Sequence, residues 1–336
     1  MSGHRWLVGS EGPLSDVYDL AMLDLDGVVY VGPDVVPGAA EAITAWRSRS
    51  RAVAFVTNNA SRTPDRVSDH LCELGVAASV DDVVTSAQAV ASLIRQRHGA
   101  GAAVAALGGE GLYAALAAEE LTVVGVGEEA VAVVTGYGPQ VVWSDIMQAA
   151  VRIRDGLPWF ASNTDMTIPT AFGTAPGHGV LVETITRFSG VTPEVAGKPE
   201  PPLLEQTMRR RGSDAALMVG DRLDTDIAGG ARVGVDTLLV LTGVTGLAEL
   251  VAAAAEERPT YLSADLGGLL VAHPPVVTEG ARSTCGGWSA TVVDGALRVE
   301  GHGERDDWWR AASAASWDHL DRTGHTASVT EVEPPR

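Results

Sequence analysis

The sequence predicts an α/β fold: a Rossmann-like core with a parallel sheet, an inserted second α/β domain, and a small α+β extension at the C-terminal end. Three observations carry this. From Leu20 to about Tyr261, short apolar runs alternate with helix-period segments, the pattern of a parallel sheet covered on both faces. The 336 residues exceed what one hydrophobic core usually holds. Beyond Val276 the character changes to hairpin signals and clustered tryptophans.

The first strand, 20–23, ends in Asp24-Leu25-Asp26-Gly27. Residues two apart on a strand point to the same side, so Asp24 and Asp26 face one site. Two adjacent anions repel, and a strand end does not usually hold them without a cation. On this stretch alone a phosphoryl-transfer site and a polar turn are evenly matched, because Asp-Gly is also a hairpin signal. An EF-hand loop fails, since Val28 stands where the fifth position needs a ligand oxygen. Pro37-Gly38 open a helix carrying Ala42, Ile43 and Trp46, and the strand 53–56 ends in Thr57-Asn58-Asn59. Thr63 is expected to cap the next helix, with Pro64 first, Leu71 and Leu74 facing inward, and Gly75 as its stop. Ser86 is expected to cap another helix, to about Arg97.

Residues 98–101 read as a hinge. The inserted unit then gives a strand to Leu107, a Gly108-Gly109 turn, a helix 111–118 and a strand 131–135. Ser144 caps a helix ending at Gly156, and a strand at 159–161 leads to Asn163. The glycine-rich stretch 173–179 reads as a loop, followed by a helix through Val182, Ile185 and Phe188. The core resumes with a helix 202–211, a strand 215–219 and Gly220-Asp221-Arg222-Leu223-Asp224-Thr225-Asp226. A helix through Ala228 and Ala231, a strand 235–241 and a helix 246–254 follow. The extension reads as two strands joined across Asp294-Gly295, then a helix bearing Trp308, Trp309 and Trp317, with the last dozen residues disordered. The expected boundaries are 14–99 and 191–265 for the core, 100–190 for the insertion and 276–330 for the extension.

A formal charge of −19 argues against nucleic acid or an anionic membrane surface as partner. Cys72 and Cys285 lack metal-type spacing and suit a reducing compartment. Residues 1–16 have no apolar signal core, and no run is long and apolar enough to cross a bilayer, so a cytoplasmic location is expected. Among 24 basic residues Lys198 is the only lysine. Its survival in an arginine-biased chain points to a charge that the planar guanidinium cannot replace.

Four strand ends thus carry polar groups: Asp24 with Asp26, Thr57 with Asn58, the Lys198 loop, and Asp221. Open α/β sheets bind ligands outside the carboxyl ends of their strands. Hydrolysis of a phosphate monoester suits this set. A cation must bridge a carboxylate nucleophile and a phosphate dianion. Mg²⁺ fits Asp24, the backbone carbonyl of Asp26, and Asp221, with water completing its shell. Thr57 and Asn58 can donate to phosphoryl oxygens, Lys198 can meet charge in the transition state, and Asp26 can move the proton. A P-loop fails because Pro199 replaces the required Ser or Thr. The eight histidines show no zinc-ligand spacing.

Asp24-Leu25-Asp26-Gly27-Val28, Thr57-Asn58-Asn59, Gly197-Lys198-Pro199 and the 220–226 stretch resemble, in order, the four motifs of the haloacid-dehalogenase-like phosphatases. The insertion, with Leu107-Gly108-Gly109-Glu110-Gly111-Leu112 and Thr135-Gly136-Tyr137, is similar to the large α/β cap of the p-nitrophenyl-phosphatase branch. The resemblance covers roughly residues 17–262. It implies Asp24 as nucleophile, Asp26 as acid and base, Asp221 as metal ligand and Asp226 as a residue orienting the metal's surroundings. An equal alternative for Asp226 is a helix N-terminal charge. Arg222 and Asp224 are expected to form only a local salt bridge.

The resemblance further implies that Asn163, Asp165 and His178 lie where this branch places substrate specificity, although a solvated cap residue is the stronger reading of His178. Glycerol 3-phosphate or 2-phosphoglycolate is the expected substrate. The alternatives are a broad-specificity sugar, nucleotide or pyridoxal phosphate phosphatase, or a module that senses a phosphorylated ligand. Trp308 and Trp309 are expected to pack on the core or in a homodimer contact, and the cap offers a second dimer surface.

Overall fold

The computed structural model describes residues 6–170 and 172–335. The chain forms two compact units, residues 1–53 with 213–336, and residues 54–212. In the first unit four parallel strands lie in the order Tyr261–Ser263, Asp236–Val240, Ala216–Gly220, Leu20–Leu23. Every residue of Leu20–Leu23 and Ala216–Gly220 is buried, as expected of parallel strands covered on both faces. Their register pairs Leu23 with Val219, so both strands end at the same level. The helix Ala39–Ser48 buries Ala42, Ile43 and Trp46, as its 3.6-residue spacing predicts. Asp236–Val240 is preceded by a wide π-type turn at Leu223–Ile227 and the helix Ala228–Val233.

The C-terminal extension holds more sheet than its sequence suggests. Val277–Glu279, Arg282–Cys285, Trp288–Val293 and Ala296–Gly301 form a four-stranded antiparallel sheet against the helix Arg305–Thr323. The first two strands escape notice because Val277–Glu279 is fully exposed and Arg282–Cys285 is mostly polar, so neither shows a clear apolar alternation. Among the last dozen residues, expected to be disordered, Ser328 instead pairs with the sheet, and Arg336 lies outside the described residues. The N–H of Leu297 donates to the carbonyl of Ser328 at 2.9 Å, that of Ser328 to Gly295 at 2.8 Å, and Ala327 is buried.

Trp308, Trp309 and Trp317 share one core with Leu239, Leu250 and Leu262 of the strand-bearing part. Burial of the tryptophans is therefore completed within the chain. Arg258 is buried between the rings of Trp6 and Trp317, at 5.0 and 5.3 Å, and forks onto Asp321 at 2.6 and 2.7 Å. That guanidinium holds the Asp321 carboxyl below its ordinary range.

In the second unit Ala52–Thr57, the strand in which the chain crosses between units, pairs in parallel with Val83–Thr85. A five-stranded parallel sheet follows, ordered Glu194–Val195, Trp159–Ala161, Ala132–Thr135, Ala103–Leu107, Thr122–Val124. Its first and last strands are edges of two and three residues, too short to leave a pattern. The helices Pro64–Glu73, Ser86–His98, Glu110–Ala118, Trp143–Arg154, His178–Ser189 and Pro201–Arg211 complete the unit.

Local chemistry shifts several expected helix starts. Thr85, not Ser86, caps Ser86–His98 through a reciprocal capping box with Gln88. Ser144 lies inside its helix and reaches Asp145. Thr63 holds the N-cap position, but its hydroxyl goes to the Asp65 carboxylate rather than to a helix N–H. The stretch read as a loop at 173–179 contains the second strand of a hairpin, Thr167–Thr170 with Gly173–Pro176. Pro and Gly read as breakers there, and an isolated two-stranded ribbon tolerates them because every strand is an edge.

Trp317→Ala should lower the unfolding free energy by roughly 3–5 kcal/mol, since the indole is buried and its N–H bonds Leu250 O. Urea denaturation should show the extension and the first sheet unfolding together; an early, separate transition for the extension would contradict a shared core. His273 supplies a pH test. Its Nε2 donates to Gly268 O at 2.8 Å and its Nδ1 accepts from Arg310 at 2.9 Å, which requires the neutral ring. Burial, with Arg310 adding to it, pushes its pKa down to about 4, while the Gly268 bond and the nearby Asp306 and Asp307 carboxylates pull it upward. Between that value and the ordinary 6.5 the unfolded chain binds the extra proton, so this group's contribution is full above 6.5 and lost as pH falls toward 4. His273→Gln should flatten the pH dependence of the unfolding midpoint in that window, and an unchanged slope would refute the assignment.

Candidate active site

The first unit gathers three carboxylates. One ligand oxygen each from Asp24, Asp221 and Asp226 lies within 4.8 Å of the others. Asp24 follows directly on the strand Leu20–Leu23, its N–H continuing the ladder to Val219 O at 2.9 Å. Asp221 is the first residue after Ala216–Gly220, so the parallel register brings the two strand ends together. Asp226 comes from the π-type turn, where its carboxylate accepts the Arg222 N–H at 3.1 Å. Turns of this kind aim a side chain that a regular helix would direct elsewhere. Asp221 and Asp226 are fully buried and Asp24 is partly exposed.

The backbone around the trio is built close. Asp221 Oδ2 accepts the Val244 N–H at 2.6 Å, and its carbonyl accepts the Thr245 hydroxyl at 2.6 Å. A Cβ on Gly27, whose φ is +85°, would lie 2.5 Å from Asp221 Oδ2, and one on Gly243 would overlap the same carboxylate. A Cβ on Gly220 would collide with Asp226. Glycine at these positions lets the chain pass against the acidic groups. Three converging carboxylates and no nitrogen or sulfur donor make a hard-oxygen set, which fits Mg²⁺ or Ca²⁺ and not a thiolate-seeking metal.

Asp226 therefore does more than the sequence alone settled, since its carboxylate belongs to the trio itself. The Asp26 side chain is not among the three. Arg222 and Asp224 form the local salt bridge at 2.8 Å.

The second unit assembles Asn58, Lys198, Asn163, Asp165 and His178. Lys198 is buried, with Nζ 3.4 Å from Val56 O, close to the end of the strand that carries Thr57. Asn58 grips the Lys198 backbone at two points: Oδ1 accepts its N–H at 2.8 Å and Nδ2 donates to its carbonyl at 2.9 Å. The same Nδ2 donates to Asp165 Oδ1 at 2.9 Å. Both amide hydrogens are thus committed to protein, so what the Asn58 side chain does in this structure is to position Lys198. Thr57 Oγ1 accepts the Asn59 N–H at 3.1 Å, which leaves its hydroxyl hydrogen to donate.

His178 is not a solvated cap residue. It is buried at the first position of its helix, with Nδ1 2.7 Å from Asn163 O, and burial pushes its pKa down to about 4. Asn163 Nδ2 donates to Asn58 O at 2.6 Å, where Ser86 Oγ also donates at 2.6 Å.

The residues that back the site were missed in the sequence: Thr242 to Thr245 behind Asp221, and Ser86 behind Asn58. The first group had a signal, since it follows directly on another strand, Asp236–Val240. Ser86 had none, because its hydroxyl is read as a cap.

A family model for haloacid dehalogenase-like hydrolases matches residues 21–122, and a second, HAD-hydrolase-like model matches residues 195–269. The D-glycerol 3-phosphate phosphatase of Mycobacterium tuberculosis is 40% identical over 320 residues, covering 91% of this chain and 87% of that one. The acid sugar phosphatase of Staphylococcus aureus is 36% identical over 251 residues, 74% of this chain and 95% of its own. Among solved structures, the glycerol phosphate phosphatase of M. tuberculosis in complex with magnesium superposes with a TM-score of 0.82 at 39% identity, covering 91% of this chain and 92% of that one. The 4-nitrophenylphosphatase of Thermotoga maritima gives 0.71 at 29% identity over 76% and 98%. With its motifs placed on these strand ends and relatives of this identity along most of its length, the chain belongs to the haloacid dehalogenase-like hydrolases.

Proposed function

We propose that the protein is a Mg²⁺-dependent phosphatase of small phosphate monoesters, with glycerol 3-phosphate as its substrate. The observation that carries the chemistry is the trio of Asp24 and Asp221 at parallel strand ends and Asp226 in the adjoining turn, with the nucleophile candidate among the oxygens that could hold a metal. Bound there, Mg²⁺ supplies positive charge that lets a carboxylate approach a phosphate dianion. Asp221 and Asp226 would hold the ion, together with Asp24 and the carbonyl of Asp26.

Asp24 attacks phosphorus, the ester P–O bond breaks, and the leaving alkoxide takes a proton from the Asp26 carboxyl. Asp26 then removes a proton from water as that water attacks the aspartyl-phosphate, releasing inorganic phosphate and restoring Asp24. Lys198, held by Asn58, meets the charge that spreads over the phosphoryl oxygens, and the Thr57 hydroxyl donates to one of them.

The substrate assignment is supported by coverage. The S. aureus sugar phosphatases match 74% of this chain but nearly all of their own length, so their likeness leaves a quarter of this protein unaccounted for. The glycerol 3-phosphate phosphatase matches 91%. No described helix is long and apolar enough to cross a membrane, and a cytoplasmic location suits a soluble phosphorylated metabolite as substrate.

Asp24→Asn should abolish Mg²⁺-dependent release of inorganic phosphate from glycerol 3-phosphate, a fall of several orders of magnitude. Retained turnover would remove Asp24 from its role. In a panel with 2-phosphoglycolate, sugar phosphates and pyridoxal phosphate, glycerol 3-phosphate should give the highest kcat/KM.

A further inference from the structure

We propose that Asp165 is a positioning residue for Lys198, acting through the Asn58 amide, and not a contact for the organic part of the substrate. The proposal rests on the phosphatase reading above. A primary amide can present either end to a neighbour, and only its surroundings decide which. Lys198 needs an acceptor for its N–H and a donor for its carbonyl, and Asn58 offers both at 2.8 and 2.9 Å in one orientation only. Turned over, the amide would face N–H to N–H and oxygen to oxygen, and both bonds would be lost.

Asp165 selects the right orientation. Its carboxylate accepts and cannot donate, so Oδ1 at 2.9 Å requires Nδ2 on that side. Asp165 is itself held, because its N–H donates to Asn163 Oδ1 at 3.1 Å while Asn163 Nδ2 donates to Asn58 O at 2.6 Å. The loop that carries Lys198 is pressed against this group: a Cβ on Gly197 would lie 2.7 Å from Asn58 Oδ1 and 2.5 Å from Ser162 O. The chain of contacts from Asp165 to the lysine backbone is therefore continuous, buried at Asn58, Asn163 and Lys198, and made only of hydrogen bonds whose polarity is determined.

A residue that reads the substrate's organic group discriminates among esters. One that places Lys198 affects every ester alike, because all share the phosphoryl group. Steady-state kinetics on glycerol 3-phosphate, 2-phosphoglycolate and p-nitrophenyl phosphate separate the two. Asp165→Ala should lower kcat on all three by a common factor of roughly tenfold, the worth of one charge-assisted hydrogen bond, with KM moving less. Asp165→Asn keeps an acceptor for Asn58 but loses its charge, so kcat should fall by less than in the alanine variant and by the same factor on each ester. Combined with Asn58→Ala, Asp165→Ala should add no further loss, since its effect passes through the missing amide.

A loss that differs tenfold or more between esters, or that adds to the Asn58→Ala loss, would overturn the proposal. If the alanine variant does not fold, the asparagine variant decides: an equal change in kcat on all three esters supports positioning, and ester-dependent loss refutes it. Wild-type protein that hydrolyses none of the esters would refute the phosphatase reading and this proposal with it. Active wild-type protein with an ester-dependent Asp165 effect would refute this proposal alone.

Discussion

Three carboxylate oxygens that lie within 4.8 Å of one another dominate the design of this protein. At about 4 Å each pair of charges repels by about 4 kcal/mol at an effective dielectric constant near 20. With Asp221 and Asp226 fully buried, water cannot relieve that repulsion at low cost. The fold meets it by bringing the trio to strand ends, where two neighbouring parallel strands stop at the same level and a wide turn adds the third group. The Val244 N–H and the Arg222 N–H each donate to one of these carboxylates, and glycines at 27, 220 and 243 make room for them. Such a set of oxygens can hold a divalent cation, and a cation beside a strand-end carboxylate is what phosphoryl transfer to an aspartate needs.

Much of this was legible in the residues. Asp24 and Asp221 follow apolar runs that read as buried strands, and a lone lysine in an arginine-biased chain marks Lys198, which the fold buries. The helix through Ala42, Ile43 and Trp46 buries those side chains, as its spacing required. Other features were hidden for physical reasons. Periodicity says nothing about a π-type turn, so whether Asp226 joins the metal site or decorates a helix end was open until the backbone was known. Asn58 looked like a phosphate donor because its two amide hydrogens have no address in a sequence, and here both go to protein. His178 looked solvated because a polar residue beside glycines usually is; burial came from the packing of its helix start against 163–166, where Gly179 leaves no room for a Cβ.

The extension illustrates the same limit. Its tryptophans announced a core, but not which one. They complete the apolar interior behind Leu239, Leu250 and Leu262, which also takes in Leu223 and Ile227 of the turn that carries Asp226. Edge strands such as Val277–Glu279 and Thr122–Val124 carry little side-chain signal because hydrogen bonds to a neighbour, not burial, hold them in place.

Calorimetric titration of the protein with Mg²⁺, in the absence of any phosphate ester, tests the central claim most directly. The account predicts a single saturable site per chain that is lost or strongly weakened in Asp221→Asn and weakened in Asp226→Asn, with both variants still folded by circular dichroism. A wild-type chain that takes up no Mg²⁺ through the millimolar range, or variants that bind it as the wild type does, would contradict it.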